Sequence, residues 1–315
     1  MAIHLLYVIF LFQPSRSLIY GEHFQNEESA MYYSKYSRSE LDAQYNLRSA
    51  IPDFQRYFNH WERWSAHVRS HFQCRLDVAY GGTPAETLDI FLASRSNAPI
   101  HVFIHGGYWQ AMDKRDFSYI AEGLVPAGIT VVVLNYALAP SVGMDEIVSQ
   151  TRDALAWIWC HAKEFGGDPL HLYISGHSAG GHLVAMMMAT DWPDFIEGLP
   201  QDLVKGGCAI SGLFDLEPIR HSYLNDVLEM DKEVAVRNSP IHYSPKLGAP
   251  LIISVGSLET EEYHRQSRDF ARHWQAKRFP LEMVEMPGFH HFSVIEQLAN
   301  PNSPLNQAVR RQMSV

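Results

Sequence analysis

Leu170-His171-Leu172-Tyr173-Ile174-Ser175-Gly176-His177-Ser178-Ala179-Gly180-Gly181-His182-Leu183-Val184 joins an apolar, β-branched run to an Ala/Met/Leu-rich one through Gly-His-Ser-Ala-Gly. This pattern predicts a buried strand, a sharp turn and a helix, with Ser178 at the turn. Small residues two places either side of the serine let a strained backbone fold back and let strand and helix approach closely. The serine hydroxyl is then pushed out at the carboxyl edge of a sheet, above the positive end of the helix. Five residues alone are a weak signal, because small residues beside serine are common. The strand before and the helix after supply the context.

Outward from that stretch, strands and helices alternate. Residues 74–93 alternate around Gly81-Gly82-Thr83-Pro84 as an antiparallel pair at a sheet edge. Pro99–Ile104 is the next strand and ends in His105-Gly106-Gly107-Tyr108-Trp109. Gly128–Tyr136 is almost unbroken in its apolarity, as a parallel strand covered on both faces should be. Apolar residues between Asp145 and Phe165 fall at helical spacing, and Gly166-Gly167-Asp168-Pro169 stops the helix. After the Ser178 turn come a helix to about Asp191, a strand at 207–211 and an irregular stretch from Gly212 to Pro245. A strand at 250–256, a helix from Glu262 to Lys277 and a last strand at 281–286 follow. The order implies an α/β fold with a mostly parallel sheet and helices on both faces.

Upstream, Phe54, Tyr57, Phe58, Trp61, Trp64 and Val68 recur at three- and four-residue steps after Pro52, which suits a first helical turn. This stripe reads first as core packing or a cover over the sheet, and second as one wall of a substrate site. Residues 31–315 read as a single domain, with no repeat, low-complexity tract or linker. Residues 1–30 are expected to be an apolar or disordered extension. Their apolar run, 3–12, is short for a membrane span and lacks the flanks of a signal peptide; Met31 as the natural start is the other reading.

A hydrophobic content of 46% with 19% charged residues is enough to build a large core. A net charge of -10 argues against nucleic acid or anionic membrane as partner. Cys74, Cys160 and Cys208 are odd in number and scattered, which favours a reducing, cytoplasmic compartment. The 17 histidines raise the question of metal. His101 and His105 are four apart, but on a strand they share a face without converging as they would on a helix, so neither metal nor another cofactor is expected. A homodimer is left open.

A serine hydroxyl needs a base within reach, a carboxylate to orient that base, and donors for the oxyanion. In an open α/β sheet these come from loops at the carboxyl ends of strands. Ser178 follows one strand, Glu259 lies just after the strand ending at Gly256, and His291 follows the last. Ser, acid, His is the order of the α/β-hydrolase fold. Asp215 competes with Glu259 for the acid, and His290 competes with His291 by adjacency. In His105-Gly106-Gly107 two glycines let backbone amides approach a bound carbonyl oxygen, and the Ala179 amide adds a donor; which glycine donates stays open. His105 is expected to brace the glycine loop, and His177 and His182 to pack around the turn.

His105-Gly106-Gly107-Tyr108-Trp109 together with Gly176-His177-Ser178-Ala179-Gly180 resembles the serine-dependent kynurenine formamidases (arylformamidases) and related small esterases. Asn135–Pro140, Ser211–Pro218 and Glu262–Ser267 extend the resemblance, which runs from about residue 40 to the C-terminus. It implies Ser178 as nucleophile, His291 as base and Glu259 as acid, where the family usually has Asp. It also implies hydrolysis of N-formyl-L-kynurenine, an N-formyl aryl amide of tryptophan catabolism, to kynurenine and formate. Tyr108, Trp109 and Phe214 are the expected neighbours of the aryl ring. A carboxylesterase of small acyl or aryl esters would use the same groups, and a non-catalytic binding module is the alternative of another class.

Overall fold

Uninterrupted apolar runs build the middle of the sheet. β3 (Ala98–Ile104), β4 (Thr130–Leu134), β6 (Gly206–Ile210) and β7 (Leu251–Gly256) are buried at every residue, because helices cover both faces. The edge strands β1 (Cys74–Ala79) and β8 (Leu281–Met286) are largely exposed. With β2 (Thr87–Phe91) and β5 (Gly167–His177) they form one sheet of eight strands in the order β1-β2-β4-β3-β5-β6-β7-β8. β2 pairs antiparallel with both β1 and β4, and every other pairing is parallel. The computed structural model describes residues 33–245 and 247–315, so the expected extension over 1–30 lies outside them.

Six helices among the described residues are eight residues or longer: α1 (Arg38–Tyr45), α2 (Phe54–His71), α3 (Met144–His161), α4 (Ala179–Ala189), α5 (Glu261–Ala276) and α6 (Pro304–Gln312). None is long and apolar enough to cross a membrane. α2 begins at Phe54 with Pro52 two residues ahead of it rather than in its first turn, and it buries Tyr57, Trp61 and Val68 as the spacing predicts. α3 passes into a short 3-10 turn that ends on Gly166 in the left-handed region (φ 73°); Gly167 already belongs to β5. The irregular stretch after Gly212 holds short helical segments at Glu217–Arg220, Asn225–Leu228 and Lys232–Arg237 and a 3-10 turn at Pro240–His242. The C-terminal helix α6 was not anticipated. It starts on Pro304 with the Ser303 side chain accepting from the Asn306 amide, and it buries Leu305, Ala308 and Val309.

α1 lies far from α5 in sequence but is pinned to it. The Tyr45 hydroxyl donates to Glu262 Oε2 at 2.9 Å, and Thr260 Oγ1 donates to the Gln44 carbonyl at 2.8 Å. Arg265 Nη2 holds the same Glu262 oxygen at 2.8 Å, so this buried carboxylate is both paired and hydrogen-bonded.

At the turn after β5 the two glycines are needed for space. A Cβ on Gly176 would meet the Gly180 carbonyl oxygen at 2.3 Å, and one on Gly180 would meet the Ile104 oxygen at 2.0 Å and the His105 oxygen at 2.7 Å. These are backbone atoms at the heart of the sheet and cannot give way. Gly180→Ala is therefore expected to lower unfolding free energy in urea titration by about 3 kcal/mol or more. Gly143→Ala, where a Cβ meets nothing within 4 Å, should change it by less than about 0.5 kcal/mol. Equal effects at the two positions would contradict this packing.

Candidate active site

Ser178 sits between β5 and α4 with φ 57° and ψ -118°, a conformation that costs a non-glycine residue about 1–3 kcal/mol. Hydrogen bonds on either side hold it. Its amide donates to the Ile210 carbonyl of β6 at 2.8 Å, and its carbonyl accepts the first bond of α4 from His182 at 3.1 Å. The residue caps the N-terminus of α4, so Ala179 is the first helical amide behind it.

Glu259 and His291 meet. His291 Nδ1 donates to Glu259 Oε2 at 2.6 Å, and both side chains are buried. With Nδ1 carrying the proton, Nε2 is left as the acceptor of the ring. Glu259 reaches the imidazole by folding back in a tight turn. Its amide donates to the Gly256 carbonyl at 3.1 Å, while its Oε1 accepts from the Gly256 amide at 2.8 Å and from Ser211 Oγ at 2.5 Å. Asp215, the competing acid, points elsewhere. It caps the turn at Glu217 through a 3.1 Å bond and faces Arg265 at 3.8 Å, and burial raises its pKa.

His290 is occupied as a helix cap. Its Nδ1 accepts from the amides of Phe292 and Ser293, so Nε2 carries the proton and donates to the Tyr57 hydroxyl at 3.0 Å. The His291 ring is flanked by His177, with centroids 4.4 Å apart, and by Tyr263 at 4.6 Å. Burial, and then the neighbouring His291, hold His177 well below the usual histidine range, so it adds no second cation beside His291.

The glycine loop lies against Ser178. A Cβ on Gly106 would stand 3.1 Å from Ser178 Cβ and 2.7 Å from the His177 carbonyl oxygen. Gly107, Tyr108 and Trp109 follow with φ 105°, 52° and 59°, a run of left-handed residues that turns the chain sharply. His105 holds the base of this turn. Its Nδ1 lies 2.8 Å from the Gly106 carbonyl oxygen and its Nε2 lies 3.1 Å from Asn135 Oδ1. Asn135 Oδ1 also accepts from the amide of Lys114, whose ammonium is buried against Asp89 at 2.9 Å and Asp77 at 2.5 Å. His101 goes its own way, to Ser175 Oγ at 2.6 Å, and among the described residues no group of three or more His, Cys, Asp or Glu could hold a metal ion.

A cavity of about 400 Å³ opens over these groups, within the usual range for small-molecule sites. Ser178, His177, His291 and Gly107 line it, and Phe58, Trp61, Tyr108, Tyr223 and Phe292 wall it. Two of the three expected ring neighbours are corrected. Trp109 is fully buried with its Nε1 donating to His182 Nδ1 at 3.2 Å, and the left-handed turn carries it under the loop into the core. Phe214 is fully buried and stacks on Phe270 at 4.2 Å. Neither lines the cavity. The stripe on α2, read first as core, supplies Phe58 and Trp61 to the wall.

Sequence reasoning missed Ser211 and Tyr263. Both lay inside the quoted resemblance, at Ser211–Pro218 and Glu262–Ser267, but carried no role. The Tyr108 hydroxyl donates to the Tyr45 carbonyl at 2.8 Å, so at 2.7 Å it accepts from Tyr263, whose ring stands 4.6 Å from that of His291. Burial keeps both phenols protonated.

Fold and site together define an α/β-hydrolase, a serine hydrolase. The BD-FAE family model matches residues 88–274. Kynurenine formamidase of Danio rerio is 32% identical over 290 residues, covering 88% of this chain and 97% of that protein. That of Salmo salar is 34% identical over 254 residues, covering 78% and 84%. A solved putative thioesterase from Silicibacter sp. TM1040 superposes with a TM-score of 0.76 at 32% identity, covering 84% and 97%. The chain belongs to the BD-FAE family and, by these relatives, to the serine hydrolases that include the kynurenine formamidases.

Burial keeps His101 and His182 neutral in the fold, pushed down to about 3 and about 4, and lowers His105 and His177 in the same direction. The unfolded chain takes up protons near pH 6.5 and the folded chain does not, so stability falls as pH drops from about 6.5 toward about 4. Each such group steepens the fall by up to about 1.4 kcal/mol per pH unit. Urea midpoints from pH 7 to 4.5 should show a shallower slope in His182→Asn; an unchanged slope would refute the burial of a neutral ring there.

Proposed function

We propose that the chain hydrolyses N-formyl aryl amides, with N-formyl-L-kynurenine as the substrate and formate and kynurenine as products. Ser178 Oγ attacks the formyl carbon while His291 Nε2 takes its proton, and Glu259 orients the imidazole and stabilises its charged form. Amides of Gly106 or Gly107 and of Ala179 receive the oxyanion, an interaction worth about 2.7–4 kcal/mol per donor. The C–N bond breaks as His291 protonates the aryl amine. Water, deprotonated by His291, then attacks the formyl-serine ester, and formate leaves as Ser178 recovers its proton. Three scattered free cysteines suit a reducing, cytoplasmic setting for this reaction.

The observation that carries the substrate choice is the Danio rerio kynurenine formamidase, similar over nearly the whole of both chains. An aromatic-walled cavity beside Ser178 is the physical complement, since an aryl ring gains area and edge contacts against Phe58, Trp61 and Phe292. A carboxylesterase acting through the same groups is the second reading, favoured by Esterase LipC of Mycobacterium tuberculosis, 27% identical over 69% of this chain.

Side-by-side kinetics separates the two. The formamidase reading expects kcat/KM for N-formyl-L-kynurenine to exceed that for p-nitrophenyl acetate and butyrate by about 100-fold, a difference of the size that fit to an apolar pocket produces. The reverse ranking makes the enzyme an esterase.

A further inference from the structure

Among the residues lining the cavity, one carries a fixed charge: Arg48, in the short helical turn Leu47–Ala50 that follows α1. Among the described residues no Asp or Glu lines the cavity with it. Its guanidinium carbon lies 5.6 Å from the Phe54 ring and 5.8 Å from the Phe58 ring, and Phe58 is itself part of the wall. Its charge also acts on the Tyr223 phenol across the cavity lining. Arg48 stands in no ion pair among the described residues, in contrast to Arg38, Arg56, Arg237 and Arg265; Arg152, which lies over the Phe195 ring, has none either but does not line the cavity.

Stacking on aromatic faces occupies the flat surface of a guanidinium and leaves its N–H edges for a planar, two-oxygen acceptor. A carboxylate matches that edge with two parallel charge-assisted hydrogen bonds. A net charge of -10 makes the chain as a whole repel anions, so a lone cation on the cavity wall is no by-product of a basic surface. The turn is also held in place. Asn46 caps it by accepting from the Ser49 amide at 3.2 Å, and Tyr45 just before it is bonded to Glu262.

We infer that Arg48 is the subsite for a free carboxylate on the substrate, remote from the bond that Ser178 cleaves. The preferred substrate class is then an acylated aryl amine that ends in a carboxylate. Its ring rests between the aromatic walls, its acyl group is presented to Ser178, and its carboxylate rests on the guanidinium edge. The inference rests on the formamidase reading and narrows it, because a neutral aryl formamide would leave this charge unused.

The test compares N-formyl-L-kynurenine with the same compound capped as its carboxamide, on wild type, Arg48→Met and Arg48→Lys, with thermal melting to confirm folding. Arg48 is exposed, so wild type should favour the free acid by about 5-fold in kcat/KM, mainly through KM, as expected of an exposed charge-assisted pair. Arg48→Met should bring the acid-to-amide ratio to about one, and Arg48→Lys should keep part of it. The preference of wild type should also shrink as salt is raised. Equal use of acid and amide by wild type overturns the inference, as does a ratio that Arg48→Met leaves intact. If p-nitrophenyl acetate is cleaved and neither formyl compound is, the formamidase reading itself fails and takes this subsite with it.

Discussion

The site depends on one close approach. β5 runs into α4 so tightly that a Cβ on Gly180 would collide with the carbonyl oxygens of Ile104, the last residue of β3, and of His105 just after it. No side chain fits there, and the backbone between Gly176 and Gly180 must turn within that space. Ser178 takes the strain of the turn, with φ 57° and ψ -118°, and is held in it by one hydrogen bond to β6 and another into α4. The same contact brings β3 alongside the turn, so the loop that continues β3 through Gly106 arrives within 3.1 Å of Ser178 Cβ for a side chain built there. Ser178 and the glycine loop are thus positioned by one piece of packing.

Glu259 and His291 come from the other half of the sheet, and a different device places each. Glu259 has one methylene more than aspartate, and the tight turn from Gly256 takes up that length by bending the carboxylate back onto the Gly256 amide. Ser211 Oγ fills a further acceptor site on the same oxygen, leaving the other for His291. Adjacent histidines are separated by hydrogen bonding: His290 is spent on capping the turn and on Tyr57, and His291 faces Glu259.

Much of this was legible because it rests on local pattern. Strand, turn and helix around Ser178, the glycine pair after β3, and the positions of Glu259 and His291 after their strands are spaced by chain order alone. The pocket walls were harder to read, because side-chain direction depends on backbone angles that composition does not reveal. Trp109 follows two other left-handed residues and is swung into the core, and Phe214 is taken up by stacking on Phe270. Phe58 and Trp61 carry the period of a packing helix, and only the placement of α2 over the sheet makes one edge of that stripe a cavity wall. Tyr263, Ser211 and Arg48 act across long stretches of sequence, where no spacing rule connects them to Ser178.

The central claim is that the strained turn makes Ser178 the nucleophile. Labelling of the folded protein with a fluorophosphonate, read by peptide mass spectrometry, tests it most directly. The account predicts a single phosphonyl adduct on the peptide carrying Ser178, absent from Ser178→Ala. Folded wild-type protein that stays unlabelled, or an adduct on another residue, would contradict it.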